Sequence, residues 1–270
     1  MGVDTVGRSV ALDAATGKVL TFSASGDLLT SSAFTVNEIP ELVGLSRSGG
    51  QLFGWRPQIY DTSDLQPGDL LGGRPAMMSW SSPEDAPTVV RETDGFAVVF
   101  NENGGGRLPF RVDPGFDVDR RAIFTDGDAW QVLEYASGEL ARVLRLNRPR
   151  RPVTAATVAA YRVEIEERYP PGRSRDARLV VLEDPRVPEY LPAFDRVVLD
   201  QDRIWARRWD NGSGSRHAWD VFVEGIHVGV VRVPKALEVW DFDGEAVVGV
   251  WTDEFDVEYV RRYRLLEPAD

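Results

Sequence analysis

The period of the hydrophobic pattern constrains this chain more than any other feature. Apolar residues recur at every second position in short runs, and Gly, Asp and Asn separate the runs. That is the pattern of many short antiparallel strands. Phe194 to Pro234 is the clearest stretch. Phe194 to Leu199, Ile204 to Trp209, Ala218 to Val223 and Val228 to Val233 read as four strands, joined by Asp200-Gln201-Asp202, by Asp210 to Ser215 and by Glu224-Gly225. Such turns supply local side-chain hydrogen bonds and positive-φ positions. Four strands in about forty residues make one propeller blade.

The unit recurs. VLTFSASGDLLTS (Val19 to Ser31), VLEYASGELARVLRL (Val132 to Leu146) and WDVFVEGIHVGVVRV (Trp219 to Val233) share an aromatic strand, a turn Gly and a short apolar strand. Phe22, Tyr135 and Phe222 correspond, as do Gly26, Gly138 and Gly225, and Leu28, Leu140 and Val228. In physical terms the aromatic packs between blades, the Gly takes the tight turn, and the apolar residue returns along the outer strand. A more degenerate unit lies between Glu41 and Asp94, with Leu42 to Leu45, Leu52 to Ile59, Met77 to Trp80 and Thr88 to Arg91 as strands. Five units follow, beginning near Gly7, Glu41, Phe96, Pro192 and Ala236. The expected fold is all-β, a single β-propeller domain over residues 1–270 with about five four-stranded blades.

The last unit offers only three strands, Leu237 to Trp240, Val247 to Trp251 and Val257 to Leu265, and the first lacks an evident innermost strand. Two outcomes are open. Residues near Val3 to Val10 join the last blade and close a five-blade ring, or the ring stays open and the chain associates through its exposed edge. The second is the expectation. One segment departs from the strand pattern: PVTAATVAAYRVEIEERYPPG, from Pro152, reads as a helix from Thr154 to about Tyr169. Thr154 is its N-cap, Val158, Tyr161, Ile165 and Tyr169 share a face, and Pro170-Pro171 ends it. With the Pro/Arg-rich loop from Pro170 to Pro188 it forms an insertion over 150–190 between two blades, packed against the propeller.

Several of these segments carry a family resemblance. LPAFDRVVLDQDRIW (Leu191 to Trp205), WDVFVEGIHVGVVRVP (Trp219 to Pro234) and VVGVWTDEFDVEYVRRYRL (Val247 to Leu265) resemble bacterial six-bladed β-propeller proteins, NHL-like in architecture and mostly without assigned function. RPVTAATVAAYR (Arg151 to Arg162) is similar to the helical insertion that these proteins carry before the penultimate blade. The resemblance implies a six-blade plan of which this chain lacks about one N-terminal blade, because SVALDAATGKVLTFSASGDLL begins here at Ser9. It also implies an exported protein, although no basic region followed by an apolar run opens this chain.

The chemistry open to the chain is narrow. With no Cys, thiolate zinc sites, iron–sulfur clusters, disulfides and cysteine nucleophiles are excluded. A net charge of -12 makes nucleic acid and anionic membranes poor partners. His217 and His227 are the sole imidazoles and fall on one hairpin in polar company, where they are expected to be exposed and not ligands. Asp113 to Asp119 and Asp241 to Glu245 resemble calcium loops only superficially, lacking EF-hand spacing, and Asp in turns serves the backbone. Ala15 to Lys18 lacks the first Gly of a phosphate loop. Trp55, Trp80, Trp205, Trp209, Trp219, Trp240 and Trp251 are expected mostly to wedge blades together. Arg56 and the Arg207-Arg208-Trp209 group are candidates for an anion- or carbohydrate-binding rim. Alternation puts Arg207 and Arg208 on opposite faces, so at most one of them serves a site. No catalytic, metal-binding or cofactor-binding residue emerges. The reading that follows is a scaffold recognising a small molecule, glycan or protein through loops at the channel mouth, with a metal-dependent lactonase-like hydrolase as the alternative.

Overall fold

The computed structural model describes residues 2–3, 8–13, 18–33, 43–48, 51–56, 66–72, 75–82, 86, 88–94, 97–118, 121–136, 138–200, 202–210 and 214–266. Strands dominate, as the period demands. The first sheet is β1 (Gly2–Val3), β2 (Ser9–Asp13), β3 (Lys18–Phe22) and β4 (Leu28–Ala33), paired in chain order. The second holds β5 (Val43–Ser48), β6 (Gln51–Arg56), β8 (Ala76–Trp80) and β9 (Thr88–Glu92), while β7 (Leu70–Gly72), between β6 and β8, leaves it. β10 (Ala97–Asn101) and β11 (Gly104–Arg107) also stand apart. The third blade is β12 (Gly115–Val118), β13 (Ala122–Thr125), β14 (Gln131–Ala136) and β15 (Glu139–Arg145). The fourth is β16 (Phe194–Asp200), β17 (Arg203–Arg208), β18 (Arg216–Val223) and β19 (Ile226–Pro234). The fifth has three strands, β20 (Leu237–Phe242), β21 (Ala246–Thr252) and β22 (Glu258–Arg264).

All pairings are antiparallel, and the first strand of each blade sits against the blade before it: β5 on β1 and β2, β12 on β5, β16 on β12 and β13, β20 on β16. This is an all-β, propeller-like fold. The outer strands are exposed and the middle strands buried, so the core lies between blades. Trp205 of β17 stacks on Phe242 of β20 at 3.9 Å and 2°, and Trp219 meets the same ring edge-on at 5.1 Å. Those three rings are almost fully buried and wedge the fourth and fifth blades together.

The repeat inferred from the sequence reappears as a repeated geometry. Gly26, Gly138 and Gly225 have φ of 88°, 81° and 88° and sit in the turns before β4, β15 and β19. At each aromatic the ladder slips by a bulge, between Thr21 and Phe22, Glu134 and Tyr135, and Val221 and Phe222. Phe22 faces Leu28 and Tyr135 faces Leu140, but Phe222 faces His227 and not Val228. The Glu224-Gly225 turn is tighter, with both residues at positive φ, so the return strand starts sooner.

Three expectations are corrected. The unit placed near Phe96 is not one blade: β10 and β11 pair with β7 in a separate three-stranded sheet, and the blade proper begins at Gly115. The Pro/Arg-rich stretch after the helix is not all loop. It contains α2 (Arg173–Val180) and a 3-10 turn at Val181–Glu183. Finally, the first unit does not lack an innermost strand: Ser9 and Val10 pair with Val3 and Gly2, so β1 supplies it. Among the described residues no strand pairs with the free edge of β22. The unit starts near Gly7 and Glu41 fall outside the described residues.

Helix α1 (Ala155–Arg168) forms where the sequence places it, with Thr154 accepting from the Thr157 amide in a capping box. Ile165 is buried, and Tyr161 packs 5.3 Å from Phe110. The neighbour of α1 is α2, and α2 lies on β11, where Ala177 and Val181 approach Gly106 so closely that a Cβ there would meet the Ala177 carbonyl at 2.4 Å. The insertion thus covers the accessory β7-β10-β11 sheet. Val181 closes a small core with Ala97, Val99 and Leu108.

Candidate functional site

A propeller presents the edges of its inner strands to the channel, so the polar residues of those strands are where a ligand can be met. Here they are charged. Asp117 of β12 accepts hydrogen bonds from its neighbour Val118 N at 2.8 Å and, across the blade boundary, from Leu199 N of β16 at 2.7 Å. Burial pushes its carboxyl up to about 6 against these two bonds, and Asp241 of β20 adds to the rise. Burial likewise raises Asp200, at the end of β16, with Asp241 again contributing. Burial lowers the Arg196 guanidinium on β16, Arg207 lowers it further, and Glu238, Asp117 and Asp195 oppose. Asp117, Arg196, Glu238 and Asp241, from three adjacent inner strands, therefore share one electrostatic neighbourhood.

An aromatic joins them. The β20–β21 ladder slips between Val239 and Asp241, leaving Trp240 as the extra residue of a bulge. Trp240 is 53% exposed, in contrast to Trp80, Trp205 and Trp219, which are core. An exposed indole beside Glu238 and Asp241 on an inner strand offers a stacking face next to hydrogen-bonding carboxylates. The carboxylates accept hydrogen bonds. Among the described residues no three His, Cys, Asp or Glu side chains are placed to hold a metal ion together.

The imidazoles are not exposed as expected. His217 Nδ1 lies 3.0 Å from Asp210 and His227 Nε2 lies 2.8 Å from Asp220, each ring about a quarter exposed or less. Asp210 also takes Lys235 at 2.6 Å. Asp220 is fully buried and receives bidentate pairs from Arg148 and Arg208 as well as His227. Burial alone would raise its carboxyl, but the hydrogen bonds from Arg208 and Arg148 outweigh it and hold the group below the usual carboxylate range. Arg207 turns to the other face, 2.6 Å from Asp195 and 5.8 Å over Trp219. The alternation of Arg207 and Arg208 is as the sequence implied, and both are committed to partners within the blade.

Residues of the two acidic loops also have local partners. Asp113 pairs with Arg107 at 3.5 Å, Asp243 bonds the Ala246 amide and pairs with Arg262, and Asp241 bonds the Phe242 amide. Asp119, the Ala15-Thr16-Gly17 turn and the side chains of Trp55 and Arg56 lie outside the described residues. Sequence reasoning missed two features. Asp220 gave no signal, because its partner Arg148 is 72 positions away. The run of five arginines between Arg142 and Arg151 is visible in the sequence as composition alone, which does not say that three of them meet at one cavity.

The class defined by this geometry is a propeller-like all-β protein with a charged, aromatic-bearing inner surface. No protein-family model matches the chain, and no curated protein does. Solved structures align with the chain at low identity. A member of the DUF4221 family from Bacteroides vulgatus aligns with TM-score 0.46 at 6% identity, over 96% of this chain and 76% of that one. A Bacteroides fragilis protein thought to be exported aligns with TM-score 0.45 at 11% identity over 93% of this chain, which spans 65% of that protein's length. Inactive virginiamycin B lyase from Staphylococcus aureus, solved with quinupristin, aligns with TM-score 0.37 at 10% identity over 98% of this chain and 79% of that one. At these identities and scores none of the three bears on function.

Proposed function

We propose that this protein is a binding propeller that recognises a polar small molecule or glycan at its inner strands. The observation that carries the reading is Trp240, squeezed out of an inner strand by a bulge and left exposed beside Glu238 and Asp241. An aromatic face flanked by hydrogen-bonding and charged groups is how protein sites grip polar rings. Core packing does not require that exposure. Export of the protein belongs to the same proposal, as does self-association through the free edge of β22. Among the described residues no helix is long and apolar enough to cross a membrane.

The test is binding to an immobilised glycan array, followed by titration of the best hit. Trp240→Ala should weaken binding about fivefold or more, since a lost aromatic stack is worth roughly 1 kcal/mol or more. The melting temperature should stay unchanged, because the ring is outside the core. Retained affinity in Trp240→Ala would overturn the placement of the site.

A further inference from the structure

The third blade ends in a basic run that the inner-strand site does not use. Five arginines fall between Arg142 and Arg151, in a chain of net charge -12. Arg142 turns to Glu134 at 3.5 Å, and Arg151 hydrogen-bonds the carbonyls of Pro192 and Trp209. The other three, Arg145, Arg148 and Arg150, line a cavity of about 270 Å³ together with Trp130 and Gln131.

Strand register builds this cavity. Gln131 on β14 lies directly opposite Arg145 on β15, so the amide and the guanidinium share a face. Past the end of β15, Leu146 N donates to the Trp130 carbonyl at 2.9 Å and Trp130 Nε1 donates to the Pro149 carbonyl at 3.2 Å, which fixes the 146–150 segment around the indole. Arg148 is anchored on Asp220 and lies 5.3 Å over Trp130. Arg150 lies 4.2 Å over Tyr190. Arg145 has no hydrogen-bond or ion-pair partner among the described residues. Two carboxylates face the group: Asp128, which acts on Arg150, and Asp220, which is shared between Arg148 and Arg208. The cavity remains net positive.

Like charges gathered around one cavity repel one another, and a bound anion relieves that repulsion. Guanidinium forks match the oxygens of a tetrahedral oxyanion in charge and in spacing. Gln131 adds a neutral donor, and the Trp130 indole forms part of the wall. We propose that this cavity is a second binding site, for a small molecule carrying phosphate or sulfate groups. It lies on the outer strands of the third blade and is independent of the inner-strand site. Its volume exceeds that of a single oxyanion and suits a diphosphate or a phosphorylated or sulfated sugar.

Isothermal titration of the full chain with inorganic pyrophosphate and, separately, with a sulfated disaccharide tests this and shows which oxyanion is preferred. Saturable binding of either probe is expected. Arg145→Gln and Arg150→Gln should each weaken it about tenfold or more. Arg264→Gln, an equal change of charge on β22, should leave it unchanged. Arg145 is exposed and unpaired, so its variant should keep the parent melting temperature while losing the rise that the bound probe gives the parent. Absence of saturable binding by both probes would overturn the proposal, as would equal weakening in Arg264→Gln.

Discussion

Asp117 joins two blades through one carboxylate, and it does so at an unfavourable protonation. Its carboxyl moves from 3.8 in the unfolded chain to about 6 in the fold. A raised carboxyl favours the folded state most when protonated. That contribution is therefore complete below about pH 4 and lost as pH rises through about 6, a swing of roughly 3 kcal/mol. Urea unfolding of the wild type and of Asp117→Asn between these limits should show the wild type gaining on the variant as pH falls. A difference that stays flat, or that grows with rising pH, would be the wrong sign. Asp220 behaves oppositely, because it is fully buried yet held ionised by Arg148 and Arg208. Asp220→Asn leaves two guanidiniums without their counter-charge and should cost about 3–5 kcal/mol by chemical denaturation. These two residues differ in legibility. That Arg207 and Arg208 face opposite ways follows from strand alternation alone. That Arg208 shares Asp220 with an arginine from the preceding blade depends on how blades pack, which no local pattern encodes.

Strands and helices were readable wherever the determinants are local. The three turn glycines, the strands of the second, fourth and fifth blades and the Thr154-capped helix all follow from neighbours within a few positions. The accessory sheet was not readable, because β7 is lifted out of a hairpin of the second blade to pair with β10 after that blade has ended. Helix α2 was hidden by its polar composition. Only Ala177 of its eight residues is buried, so no apolar stripe announces it. Two substitutions test these contacts. Phe242→Ala removes the ring on which both Trp205 and Trp219 pack and should cost about 3–5 kcal/mol in a denaturant titration. Gly106→Ala drives a methyl into the Ala177 carbonyl and Val181 and should destabilise the insertion by about 1–3 kcal/mol. Limited proteolysis should then cut first within α1 and α2 while the fourth and fifth blades stay protected.

At the scale of the whole molecule, the blades form a series in which each inner strand rests on its predecessor. β22 ends the series with one side of its ladder unpaired among the described residues, and Val260 there is 69% exposed. Free strand edges template pairing with another chain. Light scattering over a concentration series should show association, and Val260→Lys should suppress it. A monomer at every concentration would remove self-association from the proposal. The charged inner surface exists only if the inner strands of neighbouring blades are held side by side. The Leu199 amide reports this directly, because its hydrogen-bond acceptor is Asp117 of the preceding blade. Residue-resolved hydrogen exchange at about pH 7.5 should find that amide protected in the native protein. It should exchange faster in Asp117→Ala while Ile204 within the same blade is unchanged. Exchange of Leu199 in the native protein at the rate of a free strand edge would contradict the packing of the blades and the site built on it.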